Sequence, residues 1–361
     1  MLTRTLVTRS LASPARSHLL LLRCLSTNPG RLQQDKRPKS WLTRKLESSP
    51  TAKKWFLSFT NLLGYGSPKQ LAGRRAFVLY EQIVAAAPDQ YPQFWQKECH
   101  LPPTFQSWFT VTNLHIWLLT VRLRALPKEH GRHYIQALID HYFLDIEDRI
   151  RAVLQPPSNP IPPYTFISPF YINPNTPKLS NPSSSSSSSN DTSPKNKGRN
   201  RAPDRIVTRQ MKIFKEQWAG LGLSFDLALV RGDAEMAGAV WRNLLGARGS
   251  RGIAYPTTDA AADGQEKNQT PIPFRRAVNL VGGEVVNVAK IDIEKEETKD
   301  DGSGVHDFPP SEIDKYVQYP ELMFDIVSYI RRELVRLEKV SDHDIMSGDW
   351  QKLRFGPVKQ K

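Results

Sequence analysis

The sequence predicts a mainly α-helical single domain. Three observations carry this: apolar residues recurring at three- and four-residue steps, helix start and stop residues at the ends of those stretches, and only one short run of β character. The densest block runs from Thr104 to Ile150. Within Thr104 to Leu126, Phe105, Trp108, Phe109, Thr112, Ile116, Leu119 and Leu123 form one face and Val111, Leu114, Leu118 and Val121 a second, so this helix is apolar almost all round and belongs in the middle of the domain. Its apolar run, Ser107 to Val121, is short for a bilayer and contains Asn113 and His115.

The other elements follow from the same signals. Trp55, Phe56, Phe59, Leu62 and Leu63 space an amphipathic helix that Gly64 and Gly66 stop. Ser67, Pro68 and Gln70 form a capping box with proline at the first helical position, which starts a helix ending before Pro88. Pro127 and Gly131 bracket a tight turn, after which Tyr134, Leu138, Tyr142 and Ile146 line the second arm of a helical hairpin. Ile206 to Leu229 and Ala234 to Leu245 read as two more helices, with Gly232 as C-cap and Asp233 as N-cap. A small β-hairpin is expected around Gly282-Gly283. Pro320 opens a last helix lined by Leu322, Ile326, Ile330, Leu334 and Leu337.

Hydrophobic content of 39% and 28 prolines in 361 residues imply long stretches without a core. Residues 155–203, with seven consecutive serines from Ser183, are expected to be a disordered insertion. Residues 247–273 form a further loop, and 341–361 a tail, so the helical domain spans 51–340. Residues 1–25 have the arginine-rich, acid-free composition of a mitochondrial transit peptide, and 26–50 form a basic flexible leader. Of the two cysteines, Cys24 would leave with the presequence, so neither a disulfide framework nor a cysteine zinc site is expected.

Net charge is +14, about +10 without the presequence, which favours an anionic partner such as RNA, lipid headgroups or acidic protein. Three basic clusters stand out. Arg122 and Arg124 end the central helix, with Arg122 placed to favour that helix's own negative end. Arg199, Arg201, Arg205, Arg209, Lys212 and Lys215 lead the helix after the insertion, and Arg331, Arg332 and Arg336 line the last one.

Nucleotide-loop, dinucleotide, zinc-protease and serine-hydrolase motifs are absent, so no catalytic residue, cofactor or metal ligand is assigned. One alternative is a metal-dependent helical enzyme using His115, His141 and Asp145, because imidazole and carboxylate four residues apart share a helix face. A mitochondrial RNA-binding protein is the other alternative.

Three blocks in order resemble a known family: Trp117-Leu118-Leu119-Thr120-Val121-Arg122-Leu123-Arg124, then Tyr134 to Phe143, then Gly232-Asp233 leading to Ala239-Val240-Trp241-Arg242-Asn243, with Leu63-Gly64-Tyr65 ahead of them. They are similar to the ubiquinol-cytochrome c chaperones, over about Leu62 to Leu245 less the insertion. The resemblance implies a non-enzymatic mitochondrial assembly factor for the cytochrome bc1 complex, complex III. Such a factor acts peripherally at the matrix side of the inner membrane. It binds newly synthesised cytochrome b, the mitochondrial ribosome and a small partner assembly factor. Trp108, His115, Trp117, Arg122, Arg124, His141, Arg205, Arg209, Lys212, Trp241 and Arg242 are then the residues expected to contact partners or the ribosome, and an apolar groove on the Trp108–Leu123 helix or the C-terminal helix is expected to hold the client.

Overall fold

A computed structural model describes residues 67–154, 163–171, 202–250, 252–253 and 304–359, with Thr51, Lys54, Ser58 and Asp292 as isolated positions. The transit peptide, the basic leader, most of the Thr51–Leu63 helix and the expected β-hairpin lie outside the described residues. Those described are helical or irregular, with no strand among them.

Helix α1 spans Pro68–Leu79, and the Ser67 hydroxyl accepts from the Gln70 amide, as its sequence leads one to expect. It does not run on to Pro88. A π-helical turn, Tyr80–Val84, intervenes, and Pro88 lies instead in the first turn of the short α2, Ala87–Gln90, where its missing N–H leaves nothing unpaired. A second π-helical turn, Phe94–Glu98, leads to Cys99 and to His100, which has φ of 53°.

Helix α3, Phe105–Arg124, is capped by Thr104, whose side chain accepts from the Ser107 amide, and 16 of its 20 residues are buried. Side chains that are apolar in every direction stabilise a helix only where it is surrounded, and α3 packs on α4 (Lys128–Leu154), α5 (Asp204–Arg231) and α7 (Tyr319–Glu338). Trp95, Trp108 and Trp117 are wholly buried, each removing apolar surface worth roughly 5 kcal/mol before entropy is counted. Gly131 falls inside the first turn of α4, not after it. A Cβ there would sit 2.7 Å from the Leu123 carbonyl oxygen, so glycine is what lets the two helices of the hairpin close.

Helices α5 and α6 (Asp233–Asn243) meet at Gly232, whose φ of 116° suits glycine and breaks the helix sharply; Asp233 is the first residue of α6 and Gly232 its cap. A 3₁₀ segment, Pro310–Gln318, precedes α7, and α7 packs on α3 and α6. The expected tail is part of the core. After α8, Asp342–Ser347, and a 3₁₀ turn, Trp350–Leu353, the chain buries Leu353, Phe355 and Val358. No described helix is long and apolar enough to cross a membrane.

The centre holds an ion pair. Asp145 and Arg149, one turn apart on α4, are both buried and 2.9 Å apart. Tyr80 donates to Asp145 at 2.5 Å and Thr165 donates to its other oxygen. The Arg149 guanidinium lies 4.1 Å from the centre of the Trp108 ring and donates to the Tyr171 hydroxyl, the Thr165 hydroxyl and the Phe166 carbonyl. Residues 163–171, which composition alone assigns to the coreless insertion, are thereby pinned to α4, and Phe170 is buried. Their few aromatic and hydroxyl side chains find a charged anchor that composition cannot register.

His115 is buried between helices. Its Nδ1 donates to the Val111 carbonyl at 2.7 Å and its Nε2 accepts from the Tyr329 hydroxyl at 2.9 Å, with the Phe355 ring 4.8 Å away. Burial holds its pKa down to about 4.

Two outcomes follow from these buried groups. Asp145→Leu alone leaves Arg149 charged and unpaired and is expected to cost about 3–5 kcal/mol in urea unfolding. Asp145→Leu combined with Arg149→Met should cost less than that single change; a larger loss would contradict the pairing. For His115, the unfolded ring binds a proton below about pH 6.5 while the folded ring stays neutral to about pH 4, so stability is complete above that window and falls through it on acidification. Glu81 and Asp89, raised by burial, act in the opposite sense, so the comparison is differential. His115→Gln should flatten the acid loss between pH 6.5 and 4 relative to the unmodified chain, and an unchanged slope would contradict this.

Candidate interaction surface

Of the residues expected to meet partners, the structure commits several to the interior. Trp108, His115, Trp117 and Arg122 are buried, so α3 lines no open groove. Trp117 donates its indole N–H to Asp226 at 2.9 Å. Arg122 does not serve its own helix end. Its guanidinium donates to the Leu337 and Val340 carbonyls, at 3.0 and 2.6 Å, and pairs with Asp342 at 2.6 Å, satisfying the orphan carbonyls that close α7.

His141 is half-buried, and both its nitrogens are engaged: Nε2 donates to the Gly73 carbonyl at 2.9 Å and Nδ1 accepts from Tyr164 at 2.7 Å. Burial lowers its pKa, consistent with a neutral ring. Since Asp145 pairs with Arg149 and His115 with Val111 and Tyr329, a metal held by His115, His141 and Asp145 would break each of these interactions. Among the described residues no cluster of histidine, cysteine and carboxylate is arranged to hold a metal.

The three basic clusters also separate. On α7, Arg331 pairs with Asp233 at 2.7 Å, Arg332 donates to the Pro357 and Val358 carbonyls, and Arg336 pairs with Glu333 and donates to the Lys352 carbonyl. Arg332 and Arg336 fasten the C-terminal segment, and Arg331 ties α7 to the start of α6. Arg124 pairs with Asp226 at 2.8 Å, and Arg242 with Glu235 at 2.9 Å. Trp241 is half-buried and donates to the Arg248 carbonyl. What points outward is the face of α5 opposite its core residues Phe214, Leu221 and Phe225. Arg205 and Lys212 are exposed there and Arg209 is half-buried, one above another at three- and four-residue steps. Arg199 and Arg201 lie outside the described residues.

The same outer face turns apolar towards its end. Leu223, Leu227 and Val230 are 72%, 41% and 86% exposed. Their i, i+4, i+7 spacing was available in the sequence, but the helix also carries Leu221, Phe225 and Ala228 on its other side, which hid the division. Arg248 had no such signal. Buried, it donates to the Cys99, His100 and His306 carbonyls and to the Tyr319 hydroxyl, 4.4 Å from the centre of the Phe308 ring.

With this geometry in place, the comparisons with known proteins fall on identifiable elements. The profile of the family described as ubiquinol-cytochrome C chaperone matches residues 97–158 and 195–266, which contain α3, α4, α5 and α6. The chain is 29% identical to Protein CBP3, mitochondrial, of Saccharomyces cerevisiae over 156 residues, 43% of this chain and 33% of that protein. It is 30% identical to ubiquinol-cytochrome-c reductase complex assembly factor 1 of Xenopus laevis over 94 residues, 26% of this chain and 44% of that protein. The assembly factor 1 of Mus musculus matches at 40% over 55 residues, 15% of this chain and 18% of that protein. The matches thus span less than half the length of each of these relatives. No solved structure matches the chain. The ordered blocks on α3 to α6, the helical architecture and these relatives agree in one direction: over these four helices the chain is similar to the ubiquinol-cytochrome c chaperone family.

Proposed function

We propose that the protein is a non-enzymatic mitochondrial chaperone for assembly of the cytochrome bc1 complex, acting peripherally at the matrix side of the inner membrane. The observation that carries this reading is the position of the family match. It covers the hairpin of buried α3 with α4 and the α5–α6 pair, so the part this chain shares with relatives named as complex assembly factors is a packed helical scaffold with a basic outer face on α5. Histidines and carboxylates at the scaffold's centre are occupied by structural bonds, which supports binding in place of catalysis.

In this reading Arg205, Arg209 and Lys212 on α5 engage phosphates of the mitochondrial ribosome by charge attraction that salt weakens. Newly synthesised cytochrome b is the client, held together with a small partner assembly factor. Since α3 is enclosed, the client contact belongs on exposed surface. Phe324, 70% exposed on α7, and Val335 on the same helix offer apolar side chains for it.

Cells lacking the protein are expected to lose cytochrome b while retaining other mitochondrial translation products; unchanged cytochrome b would contradict the proposal. Arg205→Glu with Lys212→Glu, both on exposed positions, should leave the melting temperature within a degree or two and cut ribosome co-purification at low salt by about tenfold or more. Retained ribosome binding would remove this face from the account, and crosslinking confined to messenger RNA would favour a plain RNA-binding protein.

A further inference from the structure

The apolar half of the α5 outer face has a pattern of its own, separate from the basic half assigned above. From Ala219 to Val230 it presents Ala219, Gly220, Leu223, Leu227 and Val230, all exposed, on the side of the helix opposite its core residues Leu221, Phe225 and Ala228. A Cβ at Gly220 would meet nothing within 4 Å, so a shallow notch opens there, two turns before the Leu227 side chain. Charges bound this stripe with opposite sign: Glu216 precedes it and Arg231 follows it, both exposed.

We propose that this stripe is a self-association surface that receives the same stripe of a second copy of this chain, the two α5 helices running antiparallel about a two-fold axis between Leu223 and Ser224. A two-fold axis at that point pairs residues whose numbers are mirrored about it. Leu227 then enters the partner's notch at Gly220. Leu223 meets its counterpart beside the axis, and Arg231 faces Glu216. Each contact occurs twice, as an isologous interface requires. Large against small and plus against minus follow from a single choice of axis, and both partners of each pair lie on the same side of the helix face. A parallel arrangement in register instead sets Leu227 against Leu227 and Arg231 against Arg231. An anionic lipid surface fits less well, because Glu216 and Asp226 stand at the rim of the stripe. The stripe is about 18 Å long, so the association is reversible and depends on concentration.

Sedimentation velocity of the full chain over a concentration series tests this. A reversible monomer–dimer equilibrium is expected. Leu227→Asp should give monomer with unchanged helicity, since Leu227 is exposed and lies outside the buried core. Glu216→Arg or Arg231→Glu alone should raise the dissociation constant about tenfold or more, and the two changes together should restore it. Mixing Gly220→Cys chains with Leu227→Cys chains should give a disulfide-linked pair containing one of each. A monomer at every concentration would overturn the proposal. So would a dimer indifferent to Leu227→Asp, or a charge swap without rescue. Crosslinking of Leu227→Cys to residues 251–303 of its own chain would overturn it in favour of an internal cover. None of these readouts depends on cytochrome b or the ribosome, so the chaperone reading stands or falls separately.

Discussion

A buried ion pair organises this protein. Two charges one helical turn apart, Asp145 and Arg149, sit where neither reaches water, and every neighbouring element supplies something to keep them there. The π-helical turn after α1 supplies the Tyr80 hydroxyl, α3 supplies the Trp108 ring, and the segment 163–171 supplies Thr165, Phe166 and Tyr171. Desolvating two such charges is costly, and it is offset only when their remaining donors and acceptors are satisfied. The network therefore constrains position more than it adds stability: α1, α3, α4 and the 163–171 segment have one mutual arrangement in which all of these bonds close. Burial alone would lower the Arg149 pKa, but Asp145 and the tyrosine hydroxyls raise it, so the cation persists inside the fold.

The same economy recurs at two other arginines. Arg122 closes the carboxy-terminal end of α7, and Arg248 gathers the carbonyls of Cys99, His100 and His306. Both sit at irregular or terminal backbone, where carbonyls lack helical partners and a planar fork of donors reaches several at once. Among the described residues, Arg122, Arg149 and Arg248 hold the scaffold from within, whereas Arg205 and Lys212 lie exposed on the outer face of α5.

Much of the helical layout was legible because its signals are local. Ser67-Pro68, Thr104, Gly232 and Pro320 mark boundaries through bonds within a few residues of themselves, and the all-round apolar pattern of α3 marks its depth. What was not legible depends on distant partners. The Arg122 bonds reach carbonyls 215 and 218 residues away, and the Arg248 bonds reach back 148 and 149. No periodicity encodes such pairings, so Arg122 read as a helix-end charge and Asp145 as a metal candidate. The apolar pattern puts Trp108 on a core face of α3, yet the resemblance offers it, Trp117 and His115 to a partner, because polar atoms on an apolar helix suggest contact until their bonds are seen. The family resemblance, carried by blocks on α3 to α6, survived because those blocks build the scaffold itself.

The central claim is that α3 is enclosed by its neighbours and that partners are met on the outer faces of the helices around it. Hydrogen–deuterium exchange of the full chain, alone and bound to mitochondrial ribosomes, tests this most directly. Amides of α3 should be the slowest to exchange in both states and unaltered by binding, while protection is gained on the first half of α5. Opening of α3 on binding, with faster exchange between Trp108 and Leu123, would contradict the account and return the central helix to the role of a client groove.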